Sequence, residues 1–176
     1  RRRDSRMADK VYIEFPARIV IIGFGSIGQG VLPLILRHIG IQPSRMLIIA
    51  ADDLGKKVAD EYGVKFLQQA LTRENFRRIL DVNVGRGDFV LNVSVDVSSV
   101  ALVKYCWERG AMYLDTCIEP WAGGYTSPTI TPAQRTNYAL RESALALRGG
   151  TSHTRLPTAI ITHGANPGLG SHFVKQ

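Results

Sequence analysis

Apolar residues along this chain fall into two rhythms. Short runs rich in β-branched residues alternate with longer stretches in which apolar positions recur every three or four residues. "RIVIIGFG" (18–25) is the first run and ends in glycines, which predicts a strand buried on both faces. "SIGQGVLPLILRHIG" (26–40) places apolar residues at 27, 31, 34, 35 and 39, a helical spacing. Pro33 inside it predicts an end or a kink in the first turns, and Gly40 predicts a C-terminal cap. The alternation then continues with strands predicted over 45–53, 64–69, 88–95, 111–116 and 158–164. Helices are predicted over 54–63, 72–83 with Thr72 as cap, 97–110, and 132–148 with Thr131 as cap. Strands that alternate with helices imply parallel pairing through right-handed crossovers. The expected fold is therefore α/β, a Rossmann-like doubly wound parallel sheet.

Composition changes this picture little. The chain has 176 residues, 45% hydrophobic and 21% charged, enough for one domain with a real core. No run approaches the roughly 18 apolar residues of a membrane span, and no apolar signal core is present, so a cytoplasmic protein that avoids membranes is expected. The net charge of +7 hints at nucleic acid, but +3 of it lies in "RRRDSRMADK". No basic stripe interleaved with aromatics follows, so no nucleic-acid partner is expected. Cys106 and Cys117 show no metal-type spacing, and His38, His153, His163 and His172 show none either. The expected organisation is a basic, disordered N-terminus at 1–11, a nucleotide-binding domain at 12–165, and the start of a connection at 166–176.

Chemistry enters with "GFGSIG". Gly23, Gly25 and Gly28 form G-x-G-x-x-G directly after the first predicted strand and at the start of the first helix. Gly23 permits a tight turn, Gly25 lets backbone approach a pyrophosphate, and Gly28 lets the helix pack on the strand. The N–H groups around Ser26 and Ile27 would receive the phosphates, aided by the helix dipole. An acid is expected at the end of the second sheet strand to bind a ribose hydroxyl. Asp52 and Asp53 stand there, 24 and 25 residues after Gly28. Carboxylates accept from a 2′-hydroxyl and repel a 2′-phosphate, which favours NAD over NADP, although Lys56 and Lys57 lie close by. A non-binding glycine turn, or the adenosine part of another cofactor such as S-adenosylmethionine, are the competing readings.

Ligands of such sheets sit beyond the carboxyl ends of the strands. Asn92 and Ser94 end one strand, Asp115 and Thr116 the next, and "HGANPG" with Asn166 the last. These residues read as a rim beside the nicotinamide, with caps and turn formers as the alternative for each one alone. In "CIEPWAGGY" (117–125), Glu119 and Trp121 together suit an ammonium ion, through charge and an indole face. An acid beside an amine also serves as a base, since hydride leaves an amine-bearing carbon only when the nitrogen lone pair is free.

"RIVIIGFGSIGQGVLPLI", "NVSVDVSS", "YLDTCIEPWAGGY" and "GANPGLGSHFVKQ" together resemble the N-terminal part of bacterial homospermidine synthases, relatives of saccharopine and carboxynorspermidine dehydrogenases. The resemblance spans 12–176. It implies that two putrescines are joined into homospermidine with release of ammonia, through hydride abstraction to NAD, Schiff base formation and hydride return. It implies that Glu119 and Asn166 act on the substrate amine, with Trp121 beside them. Gly23, Gly25, Gly28, Asp52, Asp53, Asn92 and Ser94 then serve the cofactor. The family's chains are longer and homodimeric, so this chain is expected to lack a second, substrate domain. The alternatives are a saccharopine or carboxynorspermidine dehydrogenase-like oxidoreductase, whose site would need an arginine clamp, and a non-catalytic dinucleotide-binding domain.

Overall fold

The structure, a computed structural model, describes residues 10–150 and 155–162. The predicted alternation is present in it. A short strand β1 (Ile13–Glu14) precedes β2 (Ile19–Ile22), helix α1 (Ser26–His38), β3 (Ile39–Gly40) and β4 (Met46–Ala50). Then follow α2 (Lys56–Glu61), β5 (Lys65–Gln68), α3 (Phe76–Asp81), β6 (Phe89–Asn92), α4 (Ser99–Arg109), β7 (Met112–Asp115), α5 (Asn137–Ala146) and β8 (Ala159–Ile160). Six strands form one sheet in the order β5-β4-β2-β6-β7-β8, and every pairing is parallel. The order in which the chain adds strands reverses between β2 and β6, the point where such sheets open a crevice at the carboxyl ends.

Successive side chains of a strand face opposite sides, so each strand feeds two cores. Ile19, Ile21 and Ile48 pack with Leu32 of α1 and Ala59 of α2. Val20, Ile22, Ile49 and Val90 pack with Ile79 and Leu80 of α3 and Leu102 of α4. At the amino ends of β2 and β6, the buried Asp88 carboxylate accepts from the Arg18 backbone N–H at 3.0 Å, from Arg18 Nε at 3.0 Å and from Gly85 N–H at 2.7 Å. That end is closed by structural bonds.

Several sequence expectations need correction. Pro33 does not break α1, which runs unbroken to His38. Leu32 is fully buried on the sheet, and partly buried Val31, Ile35 and Leu36 pack beside it, so tertiary packing outweighs the lost backbone bond. Gly40 is not a cap. Ile39 is already extended, and Ile39–Gly40 pairs in parallel with β1, which the sequence pattern did not reveal. The helix expected over 132–148 is divided. Thr131 starts a single 3-10 turn (Pro132–Arg135), Thr136 is extended, and its hydroxyl accepts from Ala139 N–H at 3.1 Å to start α5. The helix expected from Thr72 begins at Phe76.

Candidate active site

The glycine turn lies at the carboxyl end of the central strand β2. Gly23 N–H donates to Ile49 O at 2.8 Å, which fixes the turn against β4. Its φ is +84°, and a Cβ there would stand 2.6 Å from Ser94 Cα. Gly23 is therefore needed both for its backbone conformation and because the β6 exit lies directly against it. Gly28 is a packing glycine, since a Cβ would come within 2.9 Å of the Phe24 ring and 3.4 Å of Val93. At Gly25 the same atom would meet nothing within 4 Å. Gly25 is the N-cap of α1, has no side chain to cap it, and the first turn holds no acid. The first-turn N–H groups of a helix have no acceptor within the helix. Exposed Ser26 and Ile27 stand in that turn, and Gln29 Nε2 donates to Phe24 O at 3.0 Å, closing the loop from behind. An open cradle, free donors and the positive end of a dipole fit a pyrophosphate.

Asp52 and Asp53 follow β4 and are exposed. Asp52 Oδ1 accepts from Leu54 N–H at 3.0 Å, while among the described residues the Asp53 carboxylate has no hydrogen-bond partner. Lys56 is engaged with Asp60 at 2.6 Å, which removes one of the two cations that argued for a 2′-phosphate.

On the other side of the crevice, the strand ends are joined by buried polar groups. Asn92 is 1% exposed. Its Oδ1 accepts from Ser94 N–H at 3.2 Å and Ser94 Oγ at 2.6 Å, and its Nδ2 donates to Tyr113 Oη at 3.1 Å. Tyr113 Oη donates in turn to Asp115 Oδ2 at 3.0 Å, and Asp115 Oδ1 accepts from Thr162 N–H at 2.7 Å. Burial raises the Asp115 carboxyl above its ordinary range, and the bonds from Ser99, Thr162 and Tyr113 oppose this. Burial and the Asp115 charge hold the Tyr113 phenol far above its ordinary value, so it acts as a neutral donor. Asn92 and Asp115 thus spend their side chains tying β6 to β7 and β8. The exposed Thr116 lies just beyond, its N–H reaching Asn92 O at 3.3 Å.

Glu119 is buried at 7% exposure. Its backbone N–H donates to Ser99 Oγ at 3.0 Å, and its carbonyl accepts from Ser99 N–H at 2.9 Å. Its Oε1 accepts from Cys117 Sγ at 3.1 Å. Burial and that bond to Glu119 push the Cys117 thiol up to about 11, so it is no thiolate nucleophile. Trp121 packs on Phe76 of α3, ring centroids 5.2 Å apart, so part of its indole belongs to the core. It also lines a shallow depression of about 460 Å³ with Arg73 and Gly123. Asn166 and His163 lie outside the described residues. Among the described residues no cluster of His, Cys, Asp and Glu suits a metal, and no helix is long and apolar enough to cross a membrane.

Sequence reasoning missed Tyr113 and Ser99. A signal for Tyr113 existed: it stands two residues before Asp115, on the same strand face, and Asp115 pairs in register with Asn92. Ser99 carries no local signal in the sequence, and only the folded loop shows its bonds to Glu119.

The model of the saccharopine dehydrogenase NADP binding domain matches residues 19–155. The homospermidine synthase of Blastochloris viridis is 47% identical over 174 residues, 94% of this chain and 35% of that protein. That of Mesorhizobium japonicum is 43% identical over 173 residues, 94% of this chain and 34% of that protein. The crystal structure of the Legionella pneumophila homospermidine synthase in complex with NAD has a TM-score of 0.76 and 41% identity, covering 95% of this chain and 33% of that one. The chain spans about a third of the length of these relatives.

Proposed function

The chain belongs to the saccharopine dehydrogenase NADP-binding domain family, and from that premise we propose that it is the NAD-binding part of a homospermidine synthase, acting on putrescine and related diamines. The observation that supports this most is the likeness to the NAD-bound Legionella enzyme along 95% of the chain, at 41% identity. The open cradle at Gly25 and the two exposed acids after β4 agree with it. Although the family model is described by NADP, Asp52 and Asp53 repel a 2′-phosphate, so the cofactor is NAD.

NAD, when bound, would supply reversible hydride chemistry: an acceptor for the hydride of the first putrescine and a donor once a second putrescine has displaced ammonia. The protein supplies binding, orientation and proton handling. Gly23, Gly25 and Gly28 with the N–H groups at Ser26 and Ile27 seat the pyrophosphate, and Asp52 or Asp53 accepts from the ribose. Ser94, held by Asn92 and pressed against Gly23, sets the floor of the crevice between β2 and β6. Asp115 and Thr116 border the nicotinamide end. Glu119 draws the diamine ammonium by charge and accepts the proton that must leave before hydride transfer. Asn166 completes the polar contact with the amine, and Trp121 contributes its remaining indole surface.

The test is incubation of the chain with putrescine and NAD, products being read by mass spectrometry, beside a calorimetric NAD titration. Homospermidine formed without net NADH is the expected product. Net NADH with an amino-acid substrate would instead point to a dehydrogenase of the same family. Failure to bind NAD overturns the reading at its root.

A further inference from the structure

We propose that Ser99, with Cys117, is the positioning residue of the diamine site, fixing Glu119 at its backbone and at its carboxylate. This rests on the functional reading given above. α4 needs a cap, but Ser98 provides it, its hydroxyl accepting from Ala101 N–H at 3.3 Å. The hydroxyl of Ser99 is therefore released from helix duty. It is 0% exposed, where an unbonded hydroxyl is costly. It accepts from Glu119 N–H at 3.0 Å, reaches Cys117 O at 3.4 Å, and also faces the Asp115 carboxyl. The Ser99 N–H, one of the first-turn donors that a helix leaves unsatisfied, donates to Glu119 O at 2.9 Å. Both peptide groups of Glu119 thus close on one serine. Its side chain is held separately, by the Cys117 thiol on Oε1 at 3.1 Å. A flexible glutamate acquires a single orientation before any amine arrives, which lowers the ordering cost of binding. Because the thiol remains protonated, Cys117 is a hydrogen-bond donor in this arrangement and carries no reaction step.

Four variants test this: Ser99→Ala, Cys117→Ala, Cys117→Ser and Glu119→Gln. Leaving the buried Glu119 N–H without its acceptor is costly enough to change affinity about tenfold. Ser99→Ala is expected to raise the half-saturating putrescine concentration about tenfold while NAD affinity stays within about twofold. Cys117→Ala should have a smaller effect of the same kind, and Cys117→Ser should restore binding, since a hydroxyl also donates to Oε1. Cys117 lies in an exposed loop, so its variants fold even if Ser99→Ala does not. The second readout needs no activity. Alkylation of Cys117 is followed against pH by peptide mass spectrometry, with the buried Cys106, raised to about 12, as internal control. Ser99→Ala and Glu119→Gln should both move the Cys117 profile to lower pH, because the thiol loses its carboxylate acceptor or that acceptor's charge. Equal loss of NAD and putrescine binding in Ser99→Ala, failure of Cys117→Ser to rescue, or an unmoved Cys117 profile would each overturn the proposal. If the unsubstituted chain binds NAD but no putrescine, the functional reading fails, and the Cys117 profile alone decides whether Ser99 positions Glu119.

Discussion

Exchanging Gly23 and Gly25 separately for alanine should produce opposite failures. At Gly23 the backbone holds φ +84°, which an L side chain adopts at a cost of about 1–2 kcal/mol. The new Cβ also meets Ser94 Cα at 2.6 Å and Ser94 N at 2.7 Å. Those are backbone atoms of the neighbouring loop, so no rotamer change relieves the overlap. Forcing atoms into a packed site costs about 1–3 kcal/mol. The sum, about 2–5 kcal/mol, lowers Tm by about 5–15 °C for a chain of this size. At Gly25 φ is −74°, outside the left-handed region, and a Cβ enters open space. Gly25→Ala should melt with the unsubstituted chain yet bind NAD at least about tenfold more weakly, because the methyl occupies the pyrophosphate cradle. Differential scanning fluorimetry and calorimetric titration, run on both variants, give all four numbers. A Gly23→Ala chain that melts unchanged would refute the packing argument. A Gly25→Ala chain that binds NAD as before would remove the pyrophosphate from this turn.

Tyr113→Phe leaves Asn92 Nδ2 and Asp115 Oδ2 buried without their shared partner, so urea unfolding should show a loss of about 1–3 kcal/mol. Asp52→Asn combined with Asp53→Asn should raise NADP affinity relative to NAD about tenfold in competitive titration; an unchanged ratio would mean the acids do not face the ribose. Burial lifts the Asp115 carboxyl above its ordinary range, so the folded chain still holds that proton at pH values where the unfolded chain has released it. Its contribution to stability therefore falls as pH rises through that window, and Asp115→Asn should flatten this part of the urea-midpoint profile.

The architecture was legible because its signals are redundant. Ile19–Ile22 and Met46–Ala50 are buried at every position, as parallel strands covered on both faces must be. Strand ends were less legible, since side-chain chemistry sets them. The run 88–95 keeps alternating, yet β6 stops at Asn92 because that side chain turns back onto Ser94 N–H and so replaces ladder bonding. Thr136 marks a helix start that periodicity alone runs straight through. β1 and β3 are two residues each, too short for any period to register. In the site, the glycine turn and the residues of the rim were visible by type and spacing. Their bonding was less so: Asn92 and Asp115 read as a rim beside the nicotinamide, and no local pattern showed that Tyr113 joins them. Trp121 read as an indole suited to an ammonium, and nothing local foretold its packing on Phe76. Such pairings arise from tertiary register, which no local pattern encodes.

The loops at 93–98 and 116–122 are stitched at matching points, Asp96 O accepting Ala122 N–H at 3.1 Å and Ser99 closing on both peptide groups of Glu119. Asp96 itself holds φ +61° to make the first of these possible. Two loops joined in this way have to keep their lengths together, as one extra residue in either would carry Glu119 out of step with α4. Among relatives of this chain, insertions and deletions should therefore avoid both stretches and gather in the 127–131 turn, where Ser127 and Thr129 bond to each other. The history of the family would then be written in where its sequences differ in length as much as in which residues they keep.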